Sequence, residues 1–366
     1  MRILELIPTL SVGGAERVVS LLAEALAADH DVTVVSLGPP TGSWIEDRLT
    51  QSGVAVRYLG KPPGLHPRTI PRLARVLRAV RPDVAHTHLH VLKYLLPARL
   101  AVRRLPIVHT LHNVAEHEAE SLDQALQQVA FRAGVHAVSI GGAVTESVSA
   151  VYGRPPSAVI ANGIPVADYR APAADGEAVR AALSIPASAP LLLAVGRLNT
   201  QKNHADLLTA FADPRLASAH LMIAGDGDLR GALEAQVGQQ GLRGRVHLLG
   251  IRRDVPALLA AADAFVLSST WEGNPLVIME AMAAGKAIIS TSVGCVPELV
   301  EAGCGRLVPP GDPGALASAL AWIASDRAVA VAAGAAARAV ADRRFDVSVM
   351  ATAYAELFRT VGRASR

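Results

Sequence analysis

Arg197 and Lys202 stand in Gly196-Arg197-Leu198-Asn199-Thr200-Gln201-Lys202-Asn203, directly after the apolar run Leu191–Gly196. At the C-terminal edge of a strand, a planar Arg fork and a Lys point charge suit a diphosphate. Two surface charges would be spelled the same way. Farther on, Thr270-Trp271-Glu272-Gly273-Asn274-Pro275-Leu276-Val277-Ile278-Met279-Glu280-Ala281-Met282 carries two acids. Pro275 suits the first position of a helix, whose free amides would point at an anion. Glu280 then lies among Ile278, Met279, Ala281 and Met282, where an unpaired charge is costly. Two vicinal hydroxyls, such as those of a ribose, explain it, and so does an ion pair with an Arg.

Other groupings invite chemistry and fail on context. Asp226-Gly227-Asp228 has the form of a metal-binding pair, but it follows an apolar strand in a Gly-rich turn, so no metal site is expected. Gly225, Gly227 and Gly231 fall one residue off the dinucleotide fingerprint and lack the acid about 20 residues on. Six histidines of the first half (His86, His88, His90, His109, His112, His117) lie on different strand ends and not on one helix face, and read as hydrogen-bonded interior or cleft residues. Cys295 and Cys304 have no partner at metal spacing and read as small buried thiols.

The elements that must position these residues alternate along the whole chain. Apolar runs at Arg2–Ile7, Asp31–Leu37, Val54–Leu59, Asp83–His88, Pro106–His112 and Val135–Ile140 are separated by helical periods, the first over Glu16–Ala28. A polar, Ala/Pro-rich stretch, Arg170–Pro190, reads as a linker with one short helix. The series restarts with Leu191–Gly196, His220–Gly225, Val246–Gly250, Ala264–Ser268 and Ala287–Thr291. Such alternation makes right-handed βαβ units and parallel sheets covered on both faces. The expectation is an α/β chain of two Rossmann-like domains, 1–170 and 171–345, with residues 346–366 forming a helix that packs back on the first. Two such sheets aim their strand C-termini at a crevice, which is where chemistry is sought.

The totals agree: 366 residues suit two domains, and 51% hydrophobic residues can fill two cores. No window reaches the roughly 18–20 apolar residues of a membrane span, and Glu5 interrupts the first apolar run, so a cytosolic protein is expected. A net charge of +3 without a nucleic-acid motif argues against nucleic acid as partner. The charge is uneven, however. Residues 57–104 hold eleven basic side chains, Arg103 among them, against the single acid Asp83. Helical spacing over Thr69–Val80 sets Leu73, Val76, Leu77 and Val80 inward and Arg72, Arg75 and Arg78 outward. This is either a solvated basic face or a surface for an anionic membrane or anionic acceptor.

Together these motifs resemble family 4 glycosyltransferases of the GT-B fold, in which two Rossmann-like domains face each other across a cleft. The resemblance rests on Gly196-Arg197 with Lys202, Ala224-Gly225-Asp226-Gly227, Ser268-Ser269 followed by Glu272 and Glu280, and Leu307-Val308-Pro309-Pro310-Gly311-Asp312. In the first half it rests on Gly13-Gly14-Ala15-Glu16, Asp83-Val84-Ala85-His86-Thr87-His88, His109-Thr110-Leu111-His112-Asn113, Ser139 and Asn162-Gly163-Ile164. It implies a retaining transferase that moves a sugar from a nucleoside-diphosphate sugar, a UDP-sugar foremost, to an acceptor hydroxyl without cofactor or metal. By the resemblance Arg197 and Lys202 clamp the diphosphate, Glu280 holds the ribose, Glu272 touches the donor sugar, and His109 lies near the transferred sugar. Amides of Asn274, Leu276 and Val277 would help hold the donor, Ile251 and Arg252 would meet the base, and Gly13 and Gly14 would admit a phosphate. Glu16 is a candidate ligand for the acceptor, a sugar, lipid-linked or small molecule, unless it only caps its helix. After Glu272 the chain departs from the family's usual Gly-Phe/Leu-Gly-Leu-Pro, which bears on the donor-sugar contacts. A phosphorylase of the same fold and a non-catalytic nucleotide-sugar-binding module are the alternatives.

Overall fold

The computed structural model describes residues 1–364 apart from 103, 119 and 120; the side chains of 117, 121 and 364 are likewise outside the described set, so Arg103 and the His117 side chain are not placed. The chain divides into two units, Met1–Gly163 with Val347–Arg366, and Ile164–Asp346. The first therefore ends at Gly163, ahead of the boundary near 170 that composition suggests.

Unit 1 opens with β1 (Arg2–Ile7), α1 (Gly14–Ala27), β2 (Asp31–Ser36), α2 (Trp44–Gln51) and β3 (Ala55–Tyr58). It continues with α3 (Thr69–Val80), β4 (Val84–His88), α4 (Leu92–Ala98), β5 (Ile107–Leu111) and α5 (Ala115–Glu118). Then come α6 (Ser121–Arg132), β6 (His136–Ser139), α7 (Gly142–Tyr152) and β7 (Ala158–Val159). Its sheet has seven parallel strands in the order β3-β2-β1-β4-β5-β6-β7. Every residue of β4 and β5 is buried, as helices on both faces of a parallel sheet require.

Unit 2 runs α8 (Ala173–Ala182), β8 (Leu191–Val195), α9 (His204–Phe211), β9 (His220–Ala224), α10 (Arg230–Gln239) and β10 (Val246–Gly250). It goes on through α11 (Val255–Ala261), β11 (Ala264–Leu267), α12 (Leu276–Ala283), β12 (Ala287–Thr291), α13 (Val296–Leu299) and β13 (Gly305–Val308). Two alanine-rich helices, α14 (Pro313–Ser325) and α15 (Arg327–Arg344), close it. The sheet order is β10-β9-β8-β11-β12-β13, all parallel. In both sheets the winding reverses beside the first strand, at β1/β4 and at β8/β11, and ligands of open α/β sheets bind at such reversals.

The last helix, α16 (Val347–Ala364), lies on α1 and β4 of unit 1, where Tyr354 and Phe358 are buried against His86 at ring distances of 4.8 and 5.3 Å. Two features of unit 2 differ from expectation. The stretch expected to be a linker is docked structure: Arg180 of α8 donates to the carbonyls of Ala261, Pro186 and Ala189 and pairs with Asp263 at 2.9 Å. The strand β13, too short and too broken by Gly305 and Arg306 to read as one, is a sixth strand of the sheet. Among the described residues no single helix is long and apolar enough to cross a membrane.

Candidate active site

In unit 2 the loops after β8 and β11 are sewn together at the reversal of the sheet. Those strands pair only through Ala264–Leu192 and Phe265–Leu193. Beyond that, Ser268 Oγ donates to the Lys202 carbonyl at 2.8 Å, and the Thr270 amide to the Gln201 carbonyl at 2.8 Å. Gln201 Nε2 returns a bond to the Trp271 carbonyl at 3.1 Å. The result places Lys202 Nζ 2.6 Å from Glu272 Oε1, which also accepts from Ser269 Oγ at 2.6 Å. Glu272 is 6% exposed, so its charge is compensated by the ammonium and hydroxyl instead of by water. The Lys202 stem lies over Gly196, where any side chain would stand within 3.1 Å of it.

Arg197 is exposed on a segment held from the other side. The Leu198 amide donates to the Asp226 carbonyl and the Leu229 amide to the Leu198 carbonyl, each at 3.0 Å. Gly225 and Gly227 have φ of +147° and +159° and pack onto the backbone of Gly196 and Leu198, which leaves no room for a Cβ. The Asp226-Gly227-Asp228 motif is thus a turn that braces Arg197, with Asp226 Oδ1 accepting from the Gly227 amide at 2.8 Å and Oδ2 3.8 Å from Arg230.

Pro275 is the N-cap of α12 and not its first helical residue as expected; Leu276 begins the helix. Asn274 and Leu276 are buried at this helix start, and Val277 is half-buried. Glu280, one turn on, is 1% exposed between Met279 and Ala281. Ile251 is 71% exposed just past β10, and Arg252 is tied to Asp254 at 2.5 Å. Arg197 and Lys202 thus follow the carboxyl end of β8, Glu272, Asn274, Leu276 and Val277 that of its neighbour β11, and Ile251 and Arg252 that of β10, two strands from β8 in the same sheet, with Glu280 on the helix after β11.

In unit 1, Gly13 caps α1 and Gly14 begins it. The Glu16 carboxylate folds back over Gly13, occupying the space a Gly13 side chain would need, and Ser11 Oγ donates to its Oε1 at 3.4 Å. That is the posture of an acid in the first turn that serves its own helix start.

His109 does not meet the expectation that it faces a sugar. It is 0% exposed, with Nδ1 2.8 Å from Thr87 Oγ1, Nε2 3.2 Å from Gln127 Nε2, and Phe131 beside the ring. It sits in the body of β5, whereas His112 follows the last residue of that strand and is half-buried. Glu5 of β1 is the residue the sequence reading overlooked. It is fully buried beside β4, with Oε2 2.9 Å from His86 Nδ1 and 2.8 Å from His88 Nε2. Burial pushes the Glu5 carboxyl up, but attraction to His86 and hydrogen bonds from His86 and His88 prevail and hold it down at about 2. An acid inside an apolar strand was the available signal. Among the described residues this is the one group of acids and histidines whose ligand atoms lie within 4.8 Å of one another. Its separations are those of hydrogen bonds, shorter than the edge of roughly 3.3 Å of a zinc tetrahedron.

The family model described as Glycosyltransferase Family 4 matches residues 12–168, and that described as Glycosyl transferases group 1 matches residues 189–326. A glycogen synthase of Mycobacterium tuberculosis is 30% identical over 98% of this chain and 94% of its own length. The lipopolysaccharide core biosynthesis glycosyltransferase LpsE of Rhizobium meliloti is 35% identical over 41% of this chain and 44% of its own. Among solved structures, Anabaena HepE in complex with UDP superposes with a TM-score of 0.86 at 25% identity, covering 98% of this chain and 100% of that one.

Proposed function

This chain belongs to the family 4 glycosyltransferases, and from that membership we propose that it moves a sugar from a UDP-sugar to an acceptor hydroxyl with retention of configuration. The observation that carries the reading is the stitched reversal of unit 2, which sets Lys202, Glu272 and Arg197 at adjacent strand ends. When the sugar leaves, negative charge gathers on the diphosphate. Arg197, Lys202 and the amides of Asn274, Leu276 and Val277 stabilise that charge in the place a metal ion would otherwise take. Glu280 binds the ribose hydroxyls and Glu272 the donor sugar, while Ile251 and Arg252 flank the base. The UDP bound by the similar HepE structure supports uridine as the base.

In unit 1 the sugar-facing role expected of His109 passes to His112, the histidine at the strand's end. Gly13 and Gly14 let the loop before α1 approach the donor phosphate, the acceptor region begins around this turn, and the acceptor is a sugar, lipid-linked or small molecule. A lipid-linked acceptor would suit peripheral attachment to an anionic membrane through residues 57–104. Arg72, Arg75 and Arg78 are exposed on α3, and Leu100, 90% exposed, lies on a turn packed against that helix.

Release of UDP from UDP-glucose, UDP-galactose and UDP-N-acetylglucosamine, with and without excess EDTA, tests the reading. Turnover of at least one donor, insensitive to the chelator, is expected. Activity lost in EDTA and restored by Mg²⁺ or Mn²⁺ would overturn the metal-free mechanism, and binding without any turnover would leave a nucleotide-sugar-binding module.

A further inference from the structure

Glu5, His88 and His112 lie in one line of hydrogen bonds through unit 1. Glu5 Oε2 is 2.8 Å from His88 Nε2, and His88 Nδ1 is 2.8 Å from His112 Nε2. A carboxylate only accepts, so His88 Nε2 carries a proton. A neutral imidazole has one N–H, so His88 Nδ1 is then the acceptor and His112 Nε2 the donor. The nitrogen left to His112, Nδ1, has a bare lone pair. We propose that Glu5 and His88 are positioning residues that hold His112 as its Nε2–H tautomer, so that Nδ1 accepts a hydrogen bond from a substrate hydroxyl. This rests on the substrate role given to His112 above.

The surroundings favour neutral rings in a fixed order. Burial above all, with repulsion from His86, lowers His88 to about 4 against the pull of Glu5. Burial, with His88, His86 and His109, sets His112 well below the ordinary range. The other titratable groups around the line are engaged as well. His86 Nε2 is 2.8 Å from Thr110 Oγ1, itself 2.8 Å from Tyr354 of α16. Glu118 of α5 accepts the amides of His112 and Asn113 and so holds the backbone that carries the ring. Glu5, His86 and His88 are all 0% exposed, so solvent offers no competing partner that could invert the order. A hydroxyl that gives its proton to Nδ1 keeps its oxygen lone pairs for attack or for another donor.

Long-range ¹H–¹⁵N spectra of the full chain labelled at histidine nitrogen, with His112 assigned by its loss in His112→Gln, read the tautomer directly and need no ligand. The neutral Nε2–H pattern is expected for His112 from pH 8 to 6. A neutral Nδ1–H ring or an imidazolium at pH 7 overturns the proposal. UDP release from UDP-glucose supplies the second readout. His88→Gln and Glu5→Gln should lower turnover by about 10–100-fold, the range for losing an outer partner that orients an imidazole, with KM nearly unchanged and the His112 signal averaged between tautomers. Turnover preserved in both variants, while His112→Ala is impaired, overturns the positioning role. If His112→Ala itself turns over normally, the substrate role of His112 fails instead.

Discussion

Arg197 is exposed, whereas Lys202 is largely covered and paired with a buried acid, so the two cations of the clamp should respond differently to removal. Each alanine variant is expected to lose about 10²–10³ in turnover, because a preorganised contact to a developing charge acts on the barrier itself. Arg197→Ala, at an exposed position, should move the thermal midpoint less. Lys202→Ala should also destabilise unit 2 by about 1–3 kcal/mol, since it strips Glu272 of its counter-charge. Undiminished turnover in both would move the donor elsewhere. Glu280→Gln is expected to weaken UDP binding by about 1.5–3 kcal/mol in calorimetry, because an amide keeps the shape and loses charge-assisted bonds to hydroxyls. A lowered melting point with unchanged UDP affinity would give Glu280 a purely structural role. Arg197, Lys202 and Glu280 were legible as candidates because each breaks its local pattern, a cation after an apolar strand or an acid among apolar helix residues. The pair His109 and His112 was not, since both match the motif and only the end of β5 at Leu111 separates an interior ring from one at the strand's edge.

At the scale of elements, α8 shows what periodicity cannot report. It docks through Gly176, where a Cβ would come within 2.6 Å of the Ala260 carbonyl carbon of α11, and through the Arg180 guanidinium. Neither a glycine nor an arginine registers as an apolar stripe, so the segment read as a linker. Gly176→Ala should therefore cost stability by about 1–3 kcal/mol, although alanine is the better helix former. A gain in denaturant midpoint would show that the helices separate freely. The strand pair β4 and β5 sets a pH dependence. His88 and His109, lowered to about 4 and 3 chiefly by burial, stay neutral when folded and take up protons near 6.5 when unfolded. Their stabilisation is lost as pH falls from 6.5, and Glu5, at about 2, adds a loss below 4.5. Glu118, pushed up to about 8 by burial, has the opposite sign between 4.5 and 8. His112 shifts the same way as His88 and His109, so three rings outweigh one acid and the thermal midpoint should fall between pH 6.5 and 5. A midpoint that rises over that interval would contradict the buried network.

For the whole molecule, alternation of strand and helix made two Rossmann-like units readable before any coordinates. The boundary was not, because Asn162-Gly163-Ile164 carries no composition shift and the polar stretch lies beyond it. The basic window on unit 1 makes the largest-scale prediction. At low ionic strength the protein should co-sediment with anionic vesicles and not with neutral ones, each nearby cation contributing about 1 kcal/mol. Equal binding to both, or to neither, would leave a solvated basic face. The closing helix bears on how the chain is made. Unit 2 interrupts unit 1 in sequence, and α16, whose Tyr354 and Phe358 finish the packing over His86, is synthesised after all of unit 2. On the ribosome, then, unit 2 can close while unit 1 still lacks a wall, and Met1–Gly163 must stay competent to fold until residues 347–364 emerge. Nascent chains stalled before Val347 should show a protease-resistant unit 2 and a sensitive unit 1, reversing the order in which the two began.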